Sequence, residues 1–250
     1  MIKFFRKIRQ NLLSEGNTGK YLKYAIGEIM LVVIGILIAL QINNWNEQRK
    51  NRENERDLYQ RMINDLKFDE NKLNEKISYY KKDQFMHNRI YQEAHGNSDI
   101  DSMIDLSTLR SAQPFDLIIK ANYSDFTNDI NNDEIREKIN DYFRLEGFVR
   151  DATEHLWGFK EERLKPYLSK YGINDAAVLF NNYQLNYYEL REKNIFSYPK
   201  LKEQYGTNEL DQMLFNLGIK TSWAVTAFEN VLVANRNLQL ELNNKLSEKR

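Results

Sequence analysis

AIGEIMLVVIGILIALQI, residues 25–42, is a lone apolar run in a polar chain. Of the 250 residues, 29% are Asp, Glu, Lys or Arg, and the mean hydropathy is −0.69. The uninterrupted core of the run, 29–40, is short for a membrane span and by itself suits a buried helix or the core of a signal peptide. Its flanks change the balance. With Ala25, Ile26 and Gly27 before it and Gln41 and Ile42 after it, a helix over 25–42 reaches about 27 Å, close to a hydrocarbon core. Tyr21 and Tyr24 precede the run and Trp45 follows it, where interfacial aromatics belong. Glu28 lies near one end, from which a carboxylate reaches headgroups or water.

Three readings compete for this run. A cleaved signal peptide would carry an unusually long basic leader and would place Gln41 where a small residue precedes the cut. A buried core helix is the second. An uncleaved signal anchor, the third, is the one the flanks favour. Lys3, Arg6, Lys7, Arg9, Lys20 and Lys23 lie before the run, whereas Arg49, Lys50, Arg52 and Arg56 follow it among acids. Counted as Lys and Arg, this favours an N-terminus in the cytoplasm and a large C-terminal domain outside it. Upstream, IKFFRKIRQNLL (2–13) sets Ile2, Phe5, Ile8 and Leu12 at helical spacing among basic residues. That pattern suits a short interfacial helix on anionic lipid, with a disordered basic tail as the alternative. SEGNTG (14–19) reads as the intervening turn.

The block MIKFFRKIRQNLLSEGNTGKYLKYAIGEIMLVVIGILIALQINNWNE, residues 1–47, resembles the N-terminal signature of a large family of single-span bacterial membrane proteins of unknown function, typical of Bacteroidota. NYSDFTNDINNDEIREKINDYF (122–143) resembles a divergent copy of a recurrent region of that family. The resemblance implies an integral membrane protein, and it supplies no activity and no catalytic residues.

Composition narrows the function classes. Lys+Arg and Asp+Glu are both 36, so no global charge favours nucleic acid. Cysteine is absent, which removes disulfides, thiolate metal sites and thiol nucleophiles. With Pro 3 and Gly 10 the chain suits long helices, and Tyr 15 and Phe 13 give a bundle a sizeable core.

Beyond the run, 43–57 is almost purely polar and reads as a solvated helical stalk. From Tyr59 a seven-residue pattern appears: Tyr59, Leu66, Leu73 and Tyr80, with Ile63 and Ile77 offset by four. Glu70 and Gln84 interrupt the offset row. The helix is expected to stop at Gly96-Asn97. Residues 97–132 read as short turns and loops, with FDLIIK (115–120) able to be buried. Asp133 is the expected N-cap of a second helix with a stripe of Ile135, Ile139, Tyr142, Phe143, Glu146 and Val149, ending near Arg163 before Pro166. A third helical segment begins after Asn174-Asp175 and fades by Asn194. The last helix carries the clearest seam: Leu217, Thr221, Ala224, Phe228, Val231, Asn235, Leu238 and Leu242. Asn235 there either fixes register or sits in solvent.

The expected fold is therefore all-α. It has a basic amphipathic segment (1–23), a transmembrane helix (24–42), the polar stalk (43–57), and an elongated antiparallel bundle of about four helices (58–250), its first and last helices long. That shape resembles extracytoplasmic sensor bundles, an analogy of fold alone.

No constellation of chemical groups stands out. Asp151 and His155 lie four apart on a helix, yet no third ligand accompanies them, and His87 falls on the seven-residue row of the first helix. Gly16-Asn17-Thr18-Gly19-Lys20 lacks the spacing of a phosphate loop. Asp99, Asp101 and Asp105 lack the glycine and the final glutamate of a calcium loop. No catalytic, cofactor or metal residues are expected. The one face singled out is Glu28, Val32, Gly35 and Ala39, where Gly35 and Ala39 permit close helix approach and parallel homodimerisation. The expectation is a bitopic inner-membrane protein with a periplasmic C-terminal domain. It would be a non-catalytic interaction or sensing module with the lipid bilayer, a second copy and an unidentified protein as partners, and no nucleic acid. The alternatives are an accessory subunit of a membrane complex and an enzyme of unrecognised type.

Overall fold

The computed structural model describes residues 18–97, 106–113, 117–186, 189 and 195–248. The basic segment 2–13, most of the turn after it, the aspartates 99, 101 and 105, Pro114 and the start of FDLIIK lie outside them. The chain divides into two units, Met1–Asp57 and Leu58–Arg250. Among the described residues the fold is all-α, and the one pairing of extended backbone is an isolated bridge between Asn174 and Phe196.

Helix α1 is Thr18–Ala94. In the first unit its most apolar eighteen-residue window has a mean hydropathy of 2.5, and none of that window is buried. Ile29, Met30, Leu31, Val32 and Leu37 are each more than half exposed. A contiguous apolar surface of this kind is rare on proteins in water. Among the described residues this is one helix long and apolar enough to cross a membrane.

In the second unit α1 acquires a buried face, beginning at Leu58. The seven-residue rows read from sequence are interior: Tyr59, Leu66, Leu73 and Tyr80 are buried, as are Ile63, Ile77 and His87. The helix stops where expected. Gly96 adopts φ +71°, Asn97 N donates to Gln92 O (2.9 Å) and Gly96 N to Glu93 O (3.0 Å), which closes the last turn through a left-handed glycine.

Helices α2 (Ser107–Arg110) and α3 (Ile119–Tyr123) follow, then a 3₁₀ turn Ser124–Asp129 and helix α4, Asp133–Phe159. The N-cap of α4 is Asn132, whose side chain accepts from Ile135 N (3.0 Å); Asp133, the expected cap, is instead the first helical residue. Asn and Asp cap equally well, so sequence alone does not separate neighbours. Nor does the helical path end before Pro166. It passes through a π-turn, Lys160–Leu164, into α5, Lys165–Lys170. Lys165 N donates to Lys160 O, and this wider turn accommodates a proline that lacks an N–H.

The third expected helical segment breaks at 182–186, where the backbone is not helical; 187, 188 and 190–194 lie outside the described residues. Helix α6 covers Ala176–Asn181, capped by Asp175, and buries no residue. Without a packed face, a segment of that length has little to hold it helical. Helix α7 (Tyr198–Lys202) precedes α8, Asn208–Ser247, whose first turn is capped by Thr207 accepting from Leu210 N.

Three helical tracks thus carry the core of this unit: α1 from Leu58, α4 and α8. Every residue of the seam read from sequence in α8, Leu217 through Leu242, is buried. Contacts show the direction. Leu66 and Gln84 of α1, and His95 just past its end, meet Asn235, Ser222 and Asp211 of α8 in descending order. Lys138, Tyr142 and His155 of α4 meet Glu241, Asn235 and Trp223 likewise. So α8 runs antiparallel to both. Asn235 is a register residue: its Nδ2 donates to Leu66 O (3.1 Å) and Tyr142 Oη (3.2 Å), and its Oδ1 accepts from Gln239 (2.7 Å). The two interruptions of the α1 row are also contacts. Gln84 donates to Ser222 Oγ (2.7 Å), and Glu70 accepts from Arg236 and Gln239.

Candidate functional site

The residues singled out from sequence fall in two places. Glu28, Val32, Gly35 and Ala39 share one side of the exposed apolar helix, and a Cβ added to Gly35 would meet nothing within 4 Å. Asp151 and His155 do come together. They line an open groove of about 400 Å³ with Glu154, Gly158, Phe159, Glu162, Arg163 and Lys220. The His155 ring lies 5.4 Å from Trp223, and Lys220 sits over the Phe159 ring. The lining is mixed in charge, with Asp151, Glu154 and Glu162 beside Arg163 and Lys220. Among the described residues, no three His, Cys, Asp or Glu side chains are grouped to hold a metal ion. His95 stacks on Tyr91 and lies 3.4 Å from Asp211.

The strongest chemistry is inside, at residues that sequence reasoning passed over. Lys160, the first residue of the π-turn, is fully buried. Its Nζ donates to Asp83 Oδ2 (2.6 Å), Thr108 O (2.9 Å) and Ser111 O (2.9 Å). All three ammonium protons are therefore used. Asp83, equally buried, also lies 3.2 Å from His87 Nε2. The contact is off the direction of a hydrogen bond, and Asp83 Oδ1 and both His87 ring nitrogens have no hydrogen-bond partner among the described residues. Burial works against charge on both partners. It lowers the Lys160 pKa, with the attraction of Asp83 opposing. For Asp83 burial is outweighed by the Lys160 ammonium and the His87 ring, and its carboxyl sits below the usual range. A lysine saturated in this way is no nucleophile as it stands. It acts as a bracket, joining α1, the π-turn and segment 106–113. Neighbouring bonds reinforce it: Tyr79 Oη to Ser111, Tyr80 Oη to Gln113 O (2.9 Å) and Lys76 to Gln113 Oε1 (2.9 Å).

A second buried group is acidic. Asp69 accepts from Ile118 N (3.1 Å) at the start of α3, and Glu146 of α4 is buried with Oε1 unsatisfied. Burial pushes Asp69 up to about 6 against the backbone N–H groups of Ile118 and Ile119, and burial followed by repulsion from Asp69 pushes Glu146 up to about 8. Glu146 is thus neutral at pH 7. It occupied the apolar stripe of α4 in the sequence, and that misplaced charge was the one available signal for this cluster. Asp69, Asp83 and Lys160 gave none: α1 packs on two helices and buries a wider face than one seven-residue pattern reveals.

A third cluster fastens the segment before α8. Glu93 Oε2 accepts from Tyr198 and Tyr205 (2.7 Å), and Lys202 lies 2.9 Å from its Oε1. Against the opposing effect of burial, these donors hold the Glu93 carboxyl below its usual range.

A family of unknown function (DUF6090) matches residues 28–130. The chain is similar to it from inside the apolar run, through the buried face of α1 and the bracketed segment, to the end of the 3₁₀ turn. Asp69, Asp83 and His87 fall inside this match, while their partners Glu146 and Lys160 fall beyond it. No curated protein and no solved structure matches the chain.

Two outcomes follow. Lys160→Met strands Asp83 and two carbonyls, so urea unfolding in detergent should show a loss of about 3–5 kcal/mol, largely recovered in Lys160→Met/Asp83→Leu. For Glu146, the folded carboxyl holds its proton to about pH 8 while the unfolded one releases it near 4.5. Stability therefore falls as pH rises between those values, by on the order of a few kcal/mol. Glu146→Gln should flatten that fall and raise the melting temperature at pH 8.5 more than at pH 5.

Proposed function

We propose that this chain is a single-span membrane protein whose helical unit, Leu58–Arg250, works outside the cytoplasm by binding or sensing rather than by catalysis. One observation carries the reading: an apolar helix surface over 25–42, unburied throughout, in a chain whose other unit is a polar helical bundle with its own core. Such a surface has a natural solvent in lipid. The excess of Lys and Arg before the run supports a cytoplasmic N-terminus. Binding is favoured over catalysis by the character of the polar groups. The buried Lys160 ammonium spends all its protons as a bracket, and the Asp151–His155 groove offers a mixture of acidic and basic side chains.

The face of Glu28, Val32, Gly35 and Ala39 is proposed as a helix–helix contact within the bilayer. Gly35→Ile places a branched side chain where the backbone would approach, and self-association in a membrane two-hybrid assay should drop severalfold. An unchanged signal removes this face from consideration.

Because the chain lacks cysteine, topology is directly testable. Ser247→Cys should react with an impermeant thiol reagent in intact spheroplasts. Labelling that requires lysis would put the bundle in the cytoplasm and redirect the search to cytoplasmic partners.

A further inference from the structure

Helix α8 has a second ordered face. Opposite the buried seam, an exposed row runs from Gln212 to Asn244, and from Ile219 its spacing alternates four and three residues, the heptad pattern of a helix–helix seam. Its apolar members are Phe215, Ile219, Trp223, Val233 and Leu240. All but Trp223, which is 42% exposed, are 58–63% exposed. Its polar members are Gln212, Thr226, Asn230, Asn237 and Asn244. No member is charged, in a chain that is 29% charged. The solvent face of a surface helix is ordinarily where charge collects.

We propose that this row docks a second copy of this chain, as a parallel, in-register pair of α8 helices about a two-fold axis. Such an axis sets each residue against its own copy, so any charge in the row would meet like charge. There is none. Every polar member is an amide or a hydroxyl, carrying both donor and acceptor, and so can bond to itself across the axis. Asn230, Asn237 and Asn244 lie seven apart and occupy the same heptad position, where buried Asn pairs fix register. Flanking charges are engaged within the chain: Arg236 with Glu70, Glu241 with Lys138, Glu229 with Lys81, and Lys220 over the Phe159 ring. That leaves little to attract a charged foreign helix. The row is about 48 Å long and about 10 Å wide, so two copies would bury on the order of 1,000 Å², the size at which specific contacts begin. The contact uses only residues of the unit Leu58–Arg250 and is separate from the Gly35 face.

Asn237→Cys supplies a lone thiol in the full-length protein. In native membranes under mild oxidation it should form a disulfide-linked homodimer, whereas Glu137→Cys on the exposed side of α4 should not. Adding Val233→Glu, which opposes two carboxylates about one turn away, should cut the cross-linked fraction at least tenfold and leave the helical melting transition unchanged. Thr226→Cys serves as a second thiol should Asn237→Cys fail to fold. The proposal is overturned by a folded variant that does not cross-link at these positions, by cross-linking that survives Val233→Glu, or by a thiol captured by a different protein.

Discussion

An ammonium group with no access to water governs how the bundle closes. Lys160 can be buried only where acceptors replace its lost hydration, and they come from three places: Asp83 on α1 and the carbonyls of Thr108 and Ser111. That requirement ties the register of α1 to that of α4. It also pins segment 106–113, which buries little else of its own beyond Leu106, Thr108 and Leu109. The π-turn starting at Lys160 belongs to the same arrangement, since its wider turn lets the helical path continue through Pro166.

Helix α8 is the common wall. Its buried seam packs against α1 and α4 together, and Asn235 touches both by donating to Leu66 O and Tyr142 Oη. A core held only by apolar side chains would tolerate sliding by a turn. The polar contacts do not, because a shift strands each donor from its acceptor at the cost of desolvation. Asp69 and Glu146 add a different constraint. Burial raises both carboxyls, and Glu146, at about 8, keeps its proton in the core at neutral pH, so the folded state is coupled to pH through buried groups.

The sequence alone determined the class of the protein and its main periodic elements. The apolar run at 25–42, the seven-residue rows of α1, the stop at Gly96 and the seam of α8 were all legible, because helical spacing and glycine at a C-terminus are local properties of the chain. Its reading of Asp151 and His155 as a pair was also local, and both line one groove. Tertiary structure decided the rest. A single-row pattern cannot announce that α1 faces two neighbours, so nothing in it singled out Asp69 and Asp83. Whether Asn235 lay in solvent or in the core depended on Tyr142 and Leu66, far away in sequence. Lys160 is buried only because α1 and segment 106–113 deliver acceptors to it. The physical reason is common to all three: burial of a polar group is favourable only through partners that distant parts of the chain bring to it.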